Sequence, residues 1–349
     1  MPAAVDVSVL VPIRDEAAFI RETAQRIVDQ RFDGSAEFLM IDGASKDGTR
    51  AILDELAARE PRVRVLENPA GDLASALNIG LDAAQGEFVV KMDAHTFFPP
   101  TYVQSGVDRL RRGDVGWVSG PQIPYGVDPW SRRVALALGS RLGVGGSEKW
   151  PSNFDGGAAD GERELDTGVF SGVWRRSTLE RLGGWDPDWP VNEDSELASR
   201  YLAAGERIVC LHSMGARYVP RSSLRGLARQ YFRYGFYRAK TAGRHPASVR
   251  PYHLAPAALV ALLLSGLAGG GRLRTLAGLA LIPYGAAQAA AAVGASRSAE
   301  GSDAALLPAV LTTMHLSYGS GYLAGCLRFG MPLAALARRA GARSGRRAS

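Results

Sequence analysis

The stretch Ala76–His95, ALNIGLDAAQGEFVVKMDAH, contains the pattern that decides the fold. Its first part has apolar residues at helical spacing, and its second part is the short apolar run FVVKM. The spacing predicts a helix over residues 73–84 and a buried strand over residues 88–92. That strand delivers Asp93, Ala94 and His95 at its carboxyl end.

Three earlier apolar runs have the same character. They are Val7–Val11, Glu37–Ile41 and Val63–Leu66. Helical patterns over about residues 16–30 and 47–59 separate them, and Pro12 is expected to stop the first strand. Alternation of short buried strands with helices predicts an α/β fold with a parallel sheet.

Polar side chains follow three of these strands. They are Asp15 with Glu16, then Asp42, then Asp93 with His95. Open α/β sheets bind ligands in the crevice at the carboxyl ends of their strands. The loop after the first strand contains no glycine, so neither a dinucleotide fingerprint nor a Walker A loop is present there. Carboxylates and an imidazole instead suggest a divalent cation that bridges a diphosphate.

Asp93 and His95 are the candidate ligands of that cation. Side chains at i and i+2 beyond a strand point the same way, so both groups can approach one ion. An imidazole ligand favours Mn²⁺ over Mg²⁺. The alternative is that His95 only forms a hydrogen bond to a ribose or to a neighbouring loop.

The net charge of +6 is unevenly distributed. Residues 253–349 have nine Arg, no Lys and two acids, whereas residues 1–252 have 32 basic and 33 acidic side chains. A nucleic-acid-binding domain would concentrate positive charge on its folded part, so no nucleic-acid partner is expected. Arginines next to apolar segments favour anionic membrane lipids, or else form a solvated basic tail.

The C-terminal third contains three apolar stretches, at residues 253–268, 275–295 and 304–327. The second reaches the length of a membrane span and the first is marginal, although buried core helices are the alternative. The N-terminal sequence MPAAVDVSVLVP lacks the basic region of a signal peptide. These patterns predict a cytoplasmic catalytic domain over residues 1–245, membrane-associated helices over residues 246–330 and a basic tail over residues 331–349.

Four segments, in this order, resemble glycosyltransferase family 2. They are VSVLVPIRDE, IDGASKDGT, the stretch Ala76–His95, and LGGWDPDWPVNEDSELASRYLAAG. Gly43 and Ala44 depart from the family's second motif, and His95 replaces the second acid of its Asp-x-Asp motif. The resemblance implies an inverting nucleotide-sugar enzyme with the GT-A fold, a Rossmann-like nucleotide-diphospho-sugar transferase domain. The apolar C-terminal region further resembles the membrane-associated branch that builds exopolysaccharides of the succinoglycan type.

The resemblance also implies residue roles. Pro12, Asp15 and Glu16 would flank the base and ribose, Asp42 would accept from the N3–H of uracil, and Asp93 would face the nucleotide diphosphate. Asp194 would be the general base, with Glu193 orienting the acceptor or the fold around it. Gln230 and Arg233 lie in a segment that resembles the Gln-x-x-Arg-Trp motif of membrane polysaccharide synthases, with Tyr234 in place of Trp. This resemblance implies that both residues lie in the acceptor or diphosphate region, where Arg233 would neutralise the leaving diphosphate. For the acids, turn formation and helix capping are the structural alternatives.

The expected function is transfer of a hexose from a nucleotide sugar, UDP-linked, to a lipid-linked saccharide or polysaccharide acceptor, with Mn²⁺ or Mg²⁺ as cofactor. A processive β-glycan synthase and a polyprenyl-phosphate sugar transferase are the enzymatic alternatives. A nucleotide-binding membrane scaffold is the alternative without catalysis.

Overall fold

The computed structural model describes residues 5–153, 161–297, 299–300, 302–334 and 337. The chain divides into two compact units, the first comprising Met1–Ile123 and Phe154–Tyr218, the second Pro124–Asn153 and Val219–Ser349. The strands are β1 (Val7–Ile13), β2 (Ala36–Asp42), β3 (Val63–Glu67), β4 (Phe88–Lys91), β5 (Thr96–Phe97), β6 (Trp117–Ser119), β7 (Gln122–Pro124), β8 (Glu162–Glu164), β9 (Gly172–Arg175), β10 (Ile208–Leu211) and β11 (Ala216–Tyr218). The helices are α1 (Ile20–Val28), α2 (Thr49–Arg59), α3 (Leu73–Ala83), α4 (Tyr102–Arg111), α5 (Pro129–Leu138), α6 (Arg141–Val144), α7 (Arg176–Arg181), α8 (Glu193–Ala203), α9 (Leu224–Arg244), α10 (Pro251–Ala268), α11 (Gly271–Ala295) and α12 (Leu307–Phe329).

The first unit is built on an eight-stranded sheet with the order β3-β2-β1-β4-β9-β6-β10-β8. Strands β1 to β4 pair in parallel, as do β6 and β10. Strand β9 is antiparallel to both β4 and β6, and β8 is antiparallel to β10. The predicted α/β fold is confirmed, but the sheet is mixed rather than parallel, because β8 and β9 enter it from the opposite direction.

Both faces of the central strands are covered. In β1, Val7, Val9 and Val11 belong to one core layer together with residues of α1, whereas Leu10 belongs to the other layer together with Leu77 of α3. Strands buried on both faces are apolar along their whole length, which explains the runs VSVLV and FVV. The predicted helix over residues 16–30 is shorter in the structure, since α1 begins only at Ile20.

Pro12 does not stop the first strand. β1 continues to Ile13, and Pro12 pairs in register with Ile41 of β2. The pairing of β1 with β4 ends at Leu10, so the missing N–H of Pro12 faces no partner strand there. The strand therefore carries the chain two residues further towards the carboxyl edge of the sheet.

In the second unit, α12 packs closely on α9 and α10 through glycines. A side chain on Gly321 would overlap the carbonyl of Phe232 in α9, and one on Gly325 would overlap the carbonyl of Phe236. On the partner helix, Gly235 meets the carbonyl of Tyr318 in the same way. The backbones touch because these positions have no Cβ.

Two helices of the described residues are long and apolar enough to cross a membrane. They are α10 and α11, each with a mean hydropathy of 1.5, and most of their surface is exposed. The third apolar stretch forms α12, which is not among these candidates. Two hydrogen bonds join α12 to α11. The His315 Nδ1 accepts from the Tyr284 hydroxyl at 2.8 Å, and the Thr312 hydroxyl accepts from the Gln288 amide at 2.9 Å.

The two compact units do not follow the predicted boundaries at residues 245 and 330. Residues 124–153 and 219–245 pack with the C-terminal helices rather than with the large sheet. The division into a catalytic region, membrane helices and a basic tail stays a prediction about their roles. Most of the tail, including Arg338, Arg339, Arg343, Arg346 and Arg347, lies outside the described residues.

Candidate active site

The predicted site residues of the first unit follow strands that end at one edge of the sheet. Ile13, the last residue of β1, pairs with Asp42, the last residue of β2. Lys91 ends β4, two residues before Asp93. Parallel strands bring these ends to the same edge, as the sequence predicts.

The loop after β1 is tied to the loop after β2 by hydrogen bonds. The Asp15 carboxylate accepts from the Lys46 N–H at 2.7 Å, and the Asp15 N–H donates to the Ser45 hydroxyl at 2.9 Å. The Glu16 N–H donates to the Thr49 hydroxyl at 2.9 Å. Asp15 has a left-handed backbone with φ of 53°, which its short polar side chain tolerates. The two loops therefore form one continuous rim.

Asp47 forms hydrogen bonds to both loops of this rim. Its carboxylate accepts from the N–H and the hydroxyl of Thr49, at 3.1 and 2.6 Å, and from the Ala17 N–H at 3.0 Å. These bonds lower the pKa of Asp47. These bonds give Asp47 a structural role near the start of α2.

Asp42 is the buried acid of the rim. Its side chain is 5% exposed, and its Oδ1 accepts from the Ser45 N–H at 3.3 Å. Among the described residues no donor reaches Oδ2, so this oxygen is available to a ligand N–H. Pro12 lies half-buried at the end of the same strand pair.

His95 and Glu16 lie side by side. The His95 Nδ1 is 3.4 Å from the Glu16 Oε1, and the imidazole ring is packed edge-on against Tyr218 with ring centroids 5.9 Å apart. Glu16 thus faces the candidate cation site rather than only the nucleotide rim. A carboxylate at Nδ1 leaves Nε2 of the imidazole to act as a ligand.

Asp93 contacts two groups of the protein. Its Oδ1 is 3.6 Å from the Lys91 Nζ, and its Oδ2 accepts from the Ser171 hydroxyl at 3.4 Å. Ser171 has a φ of 47°, and a side chain on the following Gly172 would overlap the indole nitrogen of Trp117. The close approach of β9 to β6 thus brings the Ser171 hydroxyl to Asp93.

Lys91 joins Asp93 to the acceptor side of the site. Its Nζ is 3.3 Å from the Glu193 Oε1, and both side chains are 8% exposed. Burial disfavours the charged ammonium, but the carboxylates of Asp93, Glu193 and Asp194 outweigh burial and raise the pKa of Lys91. Burial raises the pKa of Glu193, and Lys91 opposes that rise.

The loop before α8 is held by Asn78 of α3. Its side-chain amide donates to the Trp185 carbonyl at 2.7 Å and accepts from the Trp185 N–H at 2.9 Å. Gly183 and Gly184 supply the positive φ values of 82° and 62° that turn the chain into this loop. The Trp185 indole is buried against Trp174, with centroids 5.6 Å apart.

Helix α8 begins at Glu193. Asn192 precedes it with a φ of 64°. The Asp194 Oδ1 accepts from the Ser195 N–H at 2.7 Å, an N–H of the first helical turn that has no partner within the helix. Deeper in α8, the buried Glu196 pairs with Arg200, whose guanidinium also donates to the Gly184 carbonyl at 2.7 Å.

Asp93 and His95 fit a divalent cation only as part of a ligand set. No group of three or more His, Cys, Asp or Glu side chains in the described part of the chain is arranged to hold a metal ion. One carboxylate and one imidazole are a donor set that accepts Mn²⁺, and further oxygen ligands must come from a diphosphate or from water.

Gln230 and Arg233 lie on α9, in the second unit. The Gln230 amide donates to the Tyr234 hydroxyl at 2.9 Å, and the Arg233 side chain is exposed. The roles that the motif implies for them stay predictions.

Sequence reasoning missed Lys91 and Ser171. The available signal was a lysine inside the apolar run FVVKM. Residues 91 and 93 are two positions apart, so their side chains point to the same side of the strand. Ser171 gave no local signal, since it reaches Asp93 from 78 residues away.

Comparison with known proteins agrees with this geometry. The model of the family described as "Glycosyl transferase family 2" matches residues 8–181. The succinoglycan biosynthesis protein ExoA of Rhizobium meliloti is 30% identical over 324 residues, which cover 90% of this chain and 93% of that protein. The chain belongs to glycosyltransferase family 2. It is therefore a glycosyltransferase, and the predicted family and enzyme class are confirmed.

A second relative of this glycosyltransferase is the beta-monoglucosyldiacylglycerol synthase of Trichormus variabilis. It is 28% identical over 225 residues, which cover 59% of this chain and 43% of that protein. Among solved structures, the mannosyltransferase PcManGT from Pyrobaculum calidifontis, in complex with GDP-Man and Mn²⁺, matches 91% of this chain and 86% of its own. With a TM-score of 0.56 and 23% identity, this likeness supports the predicted GT-A fold and nothing finer.

Proposed function

We propose that this glycosyltransferase inverts the anomeric centre of a UDP-linked hexose and transfers it to a lipid-linked saccharide or polysaccharide acceptor. The observation that carries the proposal is the contact of one buried ammonium, Lys91, with both Asp93 and Glu193. The donor-side carboxylate and the first turn of α8, which contains Asp194, thus lie within one ion cluster. An inverting transfer needs these two elements: a site for the diphosphate and one base for the acceptor.

In the proposed reaction, Asp194 accepts the proton of the acceptor hydroxyl while the oxygen of that hydroxyl attacks C1 of the sugar. The bond between C1 and the diphosphate oxygen breaks as the new C1–O bond forms on the opposite face. Nucleoside diphosphate leaves with the electron pair. Glu193 orients the first turn of α8 around the acceptor through its bond to Lys91.

Asp93 and His95 would hold the divalent cation, with Glu16 fixing the imidazole. When bound, such a cation neutralises the charge that develops on the departing diphosphate. Pro12, Asp15 and Asp42 would receive the nucleotide, with the Oδ2 of Asp42 accepting from the N3–H of uracil. The motif around Gln230 and Arg233 suggests that Arg233 contributes further positive charge to the diphosphate.

A membrane location is part of the proposal. Helices α10 and α11 are long and apolar enough to span, and Leu267, Ile282 and Val293 expose 67–79% of their surface. Lipid is the partner that such faces require. The names of the two relatives, one in succinoglycan biosynthesis and one a glucosyldiacylglycerol synthase, support a saccharide or lipid acceptor. The catalytic unit would face the cytoplasm.

A panel of nucleotide sugars tests the proposal. Membranes that contain the full chain, and matched membranes that contain the Asp93→Asn variant, are incubated with labelled UDP-hexoses and with GDP-mannose. We expect one UDP-hexose to label the lipid or polysaccharide fraction with the wild-type chain, and the variant to lose this transfer. Labelling from GDP-mannose instead would contradict the uridine assignment, and equal labelling by both chains would contradict the site.

A further inference from the structure

The unassigned feature of this site is the buried Lys91. Its ammonium lies between the carboxylates of Asp93, at 3.6 Å, and Glu193, at 3.3 Å. The neighbouring strand residues Val89, Val90 and Met92 are fully buried and apolar. A sheet interior of this kind does not need a charged residue, and an unpaired buried ammonium is costly.

The ammonium of Lys91 connects two segments of the chain, the end of β4 and the start of α8. Lys91 ends β4, whose next residues include Asp93, while Glu193 begins α8, which contains Asp194 at its second position. These two segments are 102 residues apart in sequence. Without the ammonium, three carboxylates would face one another at the junction, and like charges in a buried place repel strongly.

We propose that Lys91 is a positioning residue that fixes the first turn of α8, and so the base Asp194, relative to the donor-side carboxylate Asp93. The inference rests on the proposed function, because it assigns Asp93 to the donor and Asp194 to the acceptor. Lys91 itself touches neither substrate; it acts through the two carboxylates.

The Lys91→Met variant tests this role. Methionine retains most of the length and the apolar stem but not the ammonium. We expect kcat for sugar transfer to fall by about 10²-fold, the loss typical of a misplacement of about 1 Å. The KM for the donor should stay within about threefold of the wild-type value, because the rim around Asp15 and Asp42 does not contact Lys91. Removal of the ammonium also takes a positive charge away from the cation site, which does not weaken cation binding.

A second readout separates positioning from loss of folded protein. The ratio of transfer to donor hydrolysis by water should fall by about tenfold in Lys91→Met, because a displaced base no longer meets the acceptor hydroxyl. A smaller folded fraction would reduce both rates equally and leave the ratio unchanged. The matched control is Arg64→Met, which removes another cation from a buried carboxylate of the same sheet, Glu37 at 3.0 Å, and should leave the ratio unchanged.

The double variant Lys91→Met/Glu193→Gln, compared with the two single variants, completes a double-mutant cycle. Removing both charges leaves no uncompensated partner at Glu193, so this variant should fold even if Lys91→Met alone does not. Its loss of transfer should be smaller than the product of the single losses, because the two residues act through one contact. Where Lys91→Met does not fold, the transfer-to-hydrolysis ratio of the double variant provides the same test: it should lie below the wild-type ratio and close to that of Glu193→Gln alone.

Two results would overturn the inference while leaving the proposed function intact. One is a loss of transfer in the double variant that equals the product of the two single losses. The other is a wild-type ratio of transfer to hydrolysis in both Lys91→Met and the double variant. A wild-type chain that transfers no sugar from any donor would instead contradict the proposed function.

Discussion

Replacement of Asp194 by asparagine separates the proposed catalytic role of this residue from its structural role in the first turn of α8. The structure shows that its Oδ1 accepts from the Ser195 N–H at 2.7 Å. Asparagine keeps this oxygen and therefore this bond, and loses only the charge at the helix N-terminus. That charge contributes about 0.3–1 kcal/mol, so the free energy of unfolding should fall by less than about 1 kcal/mol. Lys91 keeps Asp93 and Glu193 as partners.

The effect on transfer should be much larger. An amide cannot accept the proton of the acceptor hydroxyl, and loss of a general base costs about 10²–10⁴-fold in rate. This corresponds to about 3–5 kcal/mol in the barrier, several times the expected loss of stability. Nucleotide affinity should barely change, since the proposed contacts at Asp42, Asp93 and His95 are untouched.

The assay follows sugar transfer and UDP affinity on the same purified variant, with thermal unfolding in detergent as the measure of stability. Asp188→Asn, which neutralises an exposed acid in the loop before α8, is the matched control and should retain wild-type transfer. Transfer by Asp194→Asn within about threefold of the wild-type rate would refute the reasoning and leave Asp194 with only its structural role in the first turn of α8.

Three further predictions concern the cation, the membrane and the loop before α8. Chelation should abolish transfer, Mn²⁺ should restore it better than Mg²⁺, and His95→Asp should shift this preference towards Mg²⁺ because carboxylate is the harder ligand; full turnover under thorough chelation would refute the cation site. The chain should stay in the membrane fraction after carbonate washing, and a reporter fused at Ser349 should be cytoplasmic if α10 and α11 are the two spans; complete release of the intact chain would rule out spanning. Asn78→Ala should destabilise the first unit by about 2–4 kcal/mol, because it leaves the Trp185 N–H and carbonyl without their partner, and Asn78→Asp, which keeps the acceptor, should lose less; equal thermal stability of wild type and both variants would argue against this bond pair.

Much of the first half of the fold could be predicted from the sequence, because its strands are buried on both faces and therefore read as apolar runs. The predicted run over residues 63–66 differs from β3 by one residue. The antiparallel strands β8 and β9 could not be predicted in this way. They are only three and four residues long, too short for a recognisable period.

The same distinction holds for the site. Asp42 and Asp93 follow buried strands, so their placement at the sheet edge could be inferred from local sequence. The contact between Lys91 and Glu193, and that between Asn78 and Trp185, joins residues more than 100 positions apart. Such contacts depend on tertiary packing that no local pattern specifies. The packing of residues 124–153 with the C-terminal helices has the same origin.

The anomeric configuration of the product tests the central claim most directly. The purified glycosyltransferase is supplied with its α-linked UDP-hexose and acceptor, and the anomeric proton coupling of the isolated product is measured by NMR before any further enzyme acts on it. One base at Asp194 that activates the acceptor for direct attack at C1 predicts a β-linked product. An α-linked product would require a second displacement or front-face attack, and it would contradict the account.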